Sequence, residues 1–297
     1  MIVFVTGATG YIGTAVVQAL RGAGHEVRGL ARSPGAAEKL AFGGAEAVDG
    51  SLTELTVLAR AARAADAVIH LGATGKADQA EVDTAAVRAM LNAVEGTGKP
   101  FIYTSGVWVL GNTGDAVADE DAPLDPSPLV AWRAEVEATM RDAAAWGIRS
   151  VVLRPAVVYG RGRGTPGTFV SSARRKGVVR YVGDGTQRWP FVHVDDLADL
   201  YVLALDAPAG TILNAAAGPS LPVRDVAEAA AQANGATAEA WPLDEAREVL
   251  DAYADALALD QQVAAERAAG LGWKPSRPSV LDELRMGSYV AGASGGK

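Results

Sequence analysis

Gly7, Gly10 and Gly13 recur at every third position in Thr6-Gly7-Ala8-Thr9-Gly10-Tyr11-Ile12-Gly13. Such a run can cradle a phosphate. One glycine makes a tight turn, one lets the backbone approach a pyrophosphate, and one lets the next helix pack close to the strand. The helix start then offers free N–H groups and a partial positive charge to the anion. Thr9, Tyr11 and Ile12 lie in the same run and join the expected cofactor-binding set. An NAD-preferring site places a carboxylate about 20 residues further on, to accept from the ribose 2′-OH. Here that stretch reads Leu30-Ala31-Arg32-Ser33. A cation and a hydroxyl replace the carboxylate and suit a 2′-phosphate, so NADP(H) is the expected cofactor.

A phosphate cradle needs a strand before it and a helix after it. Ile2 to Val5 is a short apolar run rich in β-branched residues, which reads as a buried strand, and Ile12, Val16, Val17 and Leu20 carry a helical period. The rest of the N-terminal half predicts strands over 26–31, 45–48, 67–71, 100–104 and 151–154. They alternate with helices over 35–42, 54–64, 78–94 and 129–146. Alternation of this kind calls for a parallel sheet covered on both faces, and right-handed crossovers make it doubly wound. Ligands bind outside the carboxyl ends of such strands. Ser51 and Leu52, and Leu71, Gly72 and Ala73, fall there. From Arg161 onward the pattern changes to a flexible loop over 160–164 and helices over 168–176, 222–234 and 244–257, with a strand over 178–182.

The 297 residues are 49% hydrophobic and 21% charged, enough for a large core in one domain or two joined lobes. A net charge of −8 argues against a nucleic-acid surface. The absence of cysteine excludes disulfides and thiolate metal sites, and three scattered histidines make a transition-metal centre unfavourable. No apolar run suits a bilayer, and the opening strand leaves no room for a signal peptide, so a cytoplasmic protein is expected. Residues 291–297 are small and polar and are expected to form a disordered tail.

These stretches together resemble the short-chain dehydrogenase/reductase superfamily in its extended, NAD-dependent epimerase/dehydratase-like branch. The resemblance rests on Thr6 to Gly13 and on Thr104-Ser105-Gly106-Val107-Trp108-Val109-Leu110-Gly111. It continues in Leu153-Arg154-Pro155-Ala156-Val157-Val158-Tyr159-Gly160, in Phe191-Val192-His193-Val194-Asp195-Asp196-Leu197-Ala198, and in Leu271-Gly272-Trp273-Lys274-Pro275. It implies a Rossmann domain over 1–160, to which 187–217 returns, and a smaller substrate-binding lobe from 161–186 and 218–290. It adds Pro155, Val157 and Val158 to the cofactor set. It also implies a homodimer, through the helices over 78–94 and 129–146.

One departure bears on chemistry. The family's Tyr-x-x-x-Lys motif falls on Leu129-Val130-Ala131-Trp132-Arg133. Leucine transfers no proton. Arginine stays charged and cannot be a general acid, but it can hold ribose hydroxyls or a developing negative charge. The chain therefore resembles the atypical members that keep the cofactor site and lack the usual motif. Arg133 counts as both a cofactor-binding and a catalytic candidate. The position of the family's catalytic serine falls on Gly106, with Ser105 beside it.

Ser105 can hydrogen-bond a substrate oxygen or the nicotinamide amide, or simply cap a strand end. Tyr159 is a candidate proton donor, against a packing role. Trp108, Trp132 and Trp189 can form an aromatic wall for a flat substrate, with core filling the alternative for each. His193 is a substrate-pocket candidate beside a structural reading. Asp195-Asp196 reads as a helix N-cap pair, and the acidic run over 115–121 either borders the pocket or faces solvent.

The expected function is NADP(H)-dependent reduction of a small organic substrate. Without a tyrosine in the usual place, an imine or polarised alkene is favoured over a ketone. Epimerase or dehydratase chemistry on a nucleotide sugar, and dinucleotide sensing without turnover, remain open beside it.

Overall fold

The computed structural model describes residues 1–290; the expected tail over 291–297 lies outside the described residues. Seven strands form the central sheet. They are β1 (Ile2–Thr6), β2 (Glu26–Ala31), β3 (Glu46–Asp49), β4 (Ala67–His70), β5 (Pro100–Thr104), β6 (Arg149–Pro155) and, after four short outlying strands, β11 (Thr211–Ala215). The order is β11-β6-β5-β4-β1-β2-β3, and every neighbouring pair is parallel. The outlying strands are β7 (Val157–Gly160), β8 (Val178–Val182), β9 (Arg188–Trp189) and β10 (Phe191–His193).

Side chains alternate across the sheet because successive Cβ atoms point to opposite faces. Val3, Val5, Ile69, Ile102, Val151 and Leu153 join one apolar cluster. Their neighbours Phe4, Val68, Phe101, Tyr103 and Val152 join the other. Both faces are thus buried, which is why these strands read as continuous apolar runs. One face is covered by α1 (Tyr11–Gly22) and α2 (Pro34–Phe42), through Val16, Leu20 and Leu40, and by α7 (Val194–Ala204), which packs along α1. The other is covered by α3 (Leu55–Ala64), α4 (Gln79–Val94) and α5 (Ala131–Asp142), through Leu58, Met90, Leu91 and Met140.

A third cluster holds the C-terminal part together. It joins α6 (Gly164–Lys176) and α8 (Val223–Gln232) to the parallel pair of β8 with Thr237–Trp241. The helix expected over 244–257 is two helices, Leu243–Leu250 and Ala252–Leu257, broken at Asp251 with φ 51°. A left-handed residue cannot continue a right-handed helix. The helix expected over 129–146 tightens into a 3-10 turn over its last four residues, Ala143–Trp146, before a left-handed Gly147.

Candidate active site

Sheet order reverses between β1 and β4, and the chain opens a crevice there at the carboxyl ends of the strands. Two adjoining cavities of about 450 and 430 Å³ share Gly7, Gly10, Leu71, Gly72 and Ala73, so they form one groove.

The glycine turn shapes its floor. Gly7 adopts φ +67°, and a Cβ there would lie 2.5 Å from the Leu71 carbonyl oxygen. At Gly13 a Cβ would fall 2.1 Å from the Gly7 oxygen, so only glycine lets α1 sit this close to the turn. Gly10 is the N-cap residue of α1 and has no side-chain cap, which leaves the helix start to a ligand. A dinucleotide pyrophosphate fits this cradle.

One half of the groove is lined by Thr9, Leu30, Arg32, Ser51, Leu52 and Thr53. Arg32 is exposed and forms no ion pair among the described residues. Lys76 lines the same half as a second cation. No sequence motif marks Lys76, which stands in the loop just after Leu71-Gly72-Ala73. Ser33 is not among the lining residues. Its Oγ caps α2 by accepting from the Ala36 N–H at 3.3 Å.

The other half gathers Tyr11, Ile12, Ser105, Trp108, Arg133, Pro155, Val157 and, unflagged by sequence, Val130 and Thr165. Ser105 is 8% exposed, and its hydroxyl has no hydrogen-bond partner among the described residues. A buried hydroxyl of this kind on a cleft wall has hydrogen-bonding capacity left for a ligand atom or a water. Arg133 leans onto the sheet end, where Nη1 donates to the Thr104 carbonyl at 2.8 Å and to the Tyr103 hydroxyl at 3.2 Å. The Tyr11 hydroxyl donates to the Gly160 carbonyl at 2.9 Å, and the Arg163 guanidinium lies over its ring.

Several sequence candidates stand elsewhere. Tyr159 is buried in the C-terminal cluster, where its phenol donates to the Pro278 carbonyl at 2.8 Å. Burial, and to a lesser extent nearby carboxylates, push its pKa up, and the residue is not among those lining the groove. Trp189 stacks on Phe169 and gives its indole N–H to the Leu257 carbonyl. It lines a separate cavity of about 510 Å³ together with Tyr181, Trp241 and Tyr253. Trp132 packs on the α3–α4–α5 side of the sheet beneath the Arg133 guanidinium, 4.5 Å from its ring centroid. Val158 is not part of the groove lining, because strand alternation turns it away from the side that Val157 presents. His193 is buried and caps α7 through Nδ1, which accepts from the Asp195 N–H at 3.2 Å. Desolvation lowers its pKa and keeps it neutral near pH 7. The N-cap is therefore His193 and not the Asp195-Asp196 pair. Asp196 instead accepts from the Ser276 and Arg277 N–H groups.

The acidic run after Gly111 is pinned, not free. Glu120 Oε1 accepts from the Asn214 and Arg267 N–H groups, both at 3.2 Å, and Asp121 pairs with Arg267. Among the described residues there is no group of three His, Asp or Glu side chains able to hold a metal ion. None of the described helices is long and apolar enough to cross a membrane.

Residues 3–216 match the NAD dependent epimerase/dehydratase family. An uncharacterized protein of Schizosaccharomyces pombe is 32% identical over 97% of this chain and 100% of its own. A 3-diazoavenalumate denitrifying reductase of a Streptomyces species is 29% identical over 96% of this chain and 99% of its own. Among solved structures, the UDP-glucose 4-epimerase of Thermus thermophilus, in complex with NAD, superposes with a TM-score of 0.80 at 24% identity, covering 99% of this chain and 100% of that one. Glycine cradle, switch-point cleft and full-length likeness agree: the chain belongs to the NAD-dependent epimerase/dehydratase family, in the extended branch of the short-chain dehydrogenase/reductases.

Proposed function

We propose that this protein is an NADP(H)-dependent reductase of a small, largely apolar organic substrate. The observation that carries this reading is the pairing, on one cleft wall, of the unpartnered Ser105 hydroxyl with the Arg133 guanidinium. Family membership and the full-length likeness to a protein named as a reductase support the oxidoreductase class. Arg32 and Lys76, which line the adenosine half of the groove together with Asp78, support NADP(H) over NAD(H) through a 2′-phosphate.

The nicotinamide, when bound, supplies the hydride. The protein's own task is orientation and charge. Ser105 offers a hydrogen bond to an oxygen or nitrogen of the substrate or of the carboxamide. Arg133 presents a fixed positive charge where negative charge would build up, and the proton that completes the reduction comes from solvent water, so neither side chain has to supply it. Leu129, at the family's tyrosine position, is 36% exposed and brings no acid. Substrates that need little protein acid, such as an imine or polarised alkene, suit this wall. Trp108 and Val130 favour a flat or apolar body.

The test is a panel of ketones, imines and activated alkenes followed at the NADPH absorbance band. Turnover of an imine or alkene supports the reading. Tight NADPH binding with no turnover on any of them would leave a sensor in its place. We also propose a homodimer through α4 and α5; a monomeric mass by light scattering at micromolar concentration would refute it.

A further inference from the structure

Behind the cleft floor runs a chain of buried polar groups that the proposed chemistry does not use. Thr6 Oγ1 accepts from the N–H groups of Leu71 at 3.2 Å and Gly72 at 3.0 Å, two residues that line both halves of the groove. With both lone pairs taken, its own proton goes to His70 Nδ1 at 2.7 Å. His70 then carries its proton on Nε2 and donates it to Asp83 Oδ1 at 3.2 Å. The other oxygen, Asp83 Oδ2, accepts from the Tyr103 hydroxyl at 3.0 Å. The Tyr103 oxygen in turn accepts from Arg133 Nη1. His70 and Asp83 are 1% and 3% exposed, and Tyr103 is fully buried. With His70 protonated on Nε2, every donor in the chain points toward Asp83.

We infer that Asp83 is a positioning residue for Arg133, acting through Tyr103, and that His70 and Thr6 tie this placement to the loop along the pyrophosphate half. The inference rests on the reading of Arg133 as the cation at the nicotinamide end. Among the described residues Arg133 donates only to Thr104 and Tyr103, both through Nη1, and its remaining N–H groups are left for a ligand. The Thr104 carbonyl and the Trp132 ring also hold this guanidinium, and Tyr103 adds a third contact that sets its direction. The Asp83 carboxylate fixes the direction of the Tyr103 proton, and so leaves the Tyr103 lone pair facing Arg133. A neutral amide cannot do the same. In Asp83→Asn the new side chain would aim an NH₂ at either the His70 N–H or the Tyr103 hydroxyl, and one donor of the chain would meet another donor.

The test is NADPH affinity, read by fluorescence titration, for Tyr103→Phe, Asp83→Asn, Arg133→Ala and the double variants. Tyr103→Phe removes one oxygen and keeps the ring, so it decides the matter if Asp83→Asn fails to fold. The expected result is a Kd raised about tenfold by Tyr103→Phe, the scale of one charge-assisted hydrogen bond. Arg133→Ala should raise it at least as much, and Tyr103→Phe should add nothing in the Arg133→Ala background. Losses that multiply in the double variant would overturn the inference. So would an unchanged Kd in Tyr103→Phe with only a lower Tm. If Tyr103→Phe is inert while Arg133→Ala weakens binding, the inference alone falls. If Arg133→Ala is inert as well, the reading of Arg133 falls with it.

Discussion

The Glu137 carboxylate on α5 takes three hydrogen bonds from the Arg154 guanidinium on β6, at 3.1, 3.1 and 2.6 Å, with both side chains about 2% exposed. Glu137 stands one helical turn beyond Arg133, so the pair pins the same face of α5 that carries the cleft cation. Breaking a buried pair by removing one partner leaves an uncompensated charge, at a cost of about 3–5 kcal/mol. Glu137→Ala is expected to lose that much in urea unfolding. Replacing both residues by apolar ones of similar volume should cost less than either single change.

Arg32→Ala should weaken NADPH binding about tenfold, the scale of one charge-assisted hydrogen bond. NADH binding should stay as it is, since only the 2′-phosphate distinguishes the two. Parallel titrations check this, and equal losses for both cofactors would speak against the 2′-phosphate contact.

Ser105→Ala tests the orphan hydroxyl. Loss of one donor at a developing charge lowers kcat about a hundredfold. Cofactor affinity should change little if the hydroxyl serves the substrate. A fall in cofactor affinity with kcat untouched would move the hydroxyl to the carboxamide instead.

Arg133→Ala should weaken cofactor binding and leave the shape of the pH–rate profile unchanged, because arginine has no proton to lose near neutral pH. A limb that disappears with the arginine would place the proton donor on this helix. Leu129→Tyr with Arg133→Lys should add carbonyl reduction only if the turn before α5 presents residue 129 to the cleft.

Glu120 sets a pH dependence of stability. Burial raises its pKa above the ordinary carboxylate value, against two backbone N–H donors that lower it. Between the unfolded and native values the folded protein holds a proton that the unfolded chain has released. Stability is therefore fullest below that window and declines as pH rises through it. Glu120→Gln keeps an acceptor for Asn214 and Arg267 and should flatten that slope in urea titrations from pH 4 upward, about one unit of pH at a time.

The sheet could be read from the chain because each central strand is apolar on both faces. Val3, Phe4 and Val5 feed two different clusters yet look alike in sequence. The glycine cradle was legible for a similar reason: a missing Cβ at Gly7 and Gly13 is a property of the residue itself. Side-chain direction was not. Tyr159 and Trp189 follow the right motifs but end on the carbonyls of Pro278 and Leu257, 119 and 68 positions further along the chain. Asp83 meets His70 and Tyr103 across 13 and 20 residues, distances no local pattern reports. The break at Asp251 carries no glycine or proline to announce it.

Tyr289 gives its hydroxyl proton to the Arg163 carbonyl at 2.5 Å and accepts from the Gly160 N–H at 2.7 Å. Ser288 Oγ accepts from the Gly162 N–H at 2.9 Å. The loop between β7 and α6, which also anchors Tyr11, is thus stitched by residues made more than a hundred positions later. During synthesis, the cradle and the strands around it, all within the first 104 residues, can assemble before the substrate side has its final shape. A ribosome-bound chain halted before Tyr289 should therefore bind the cofactor sooner than it can turn over a substrate.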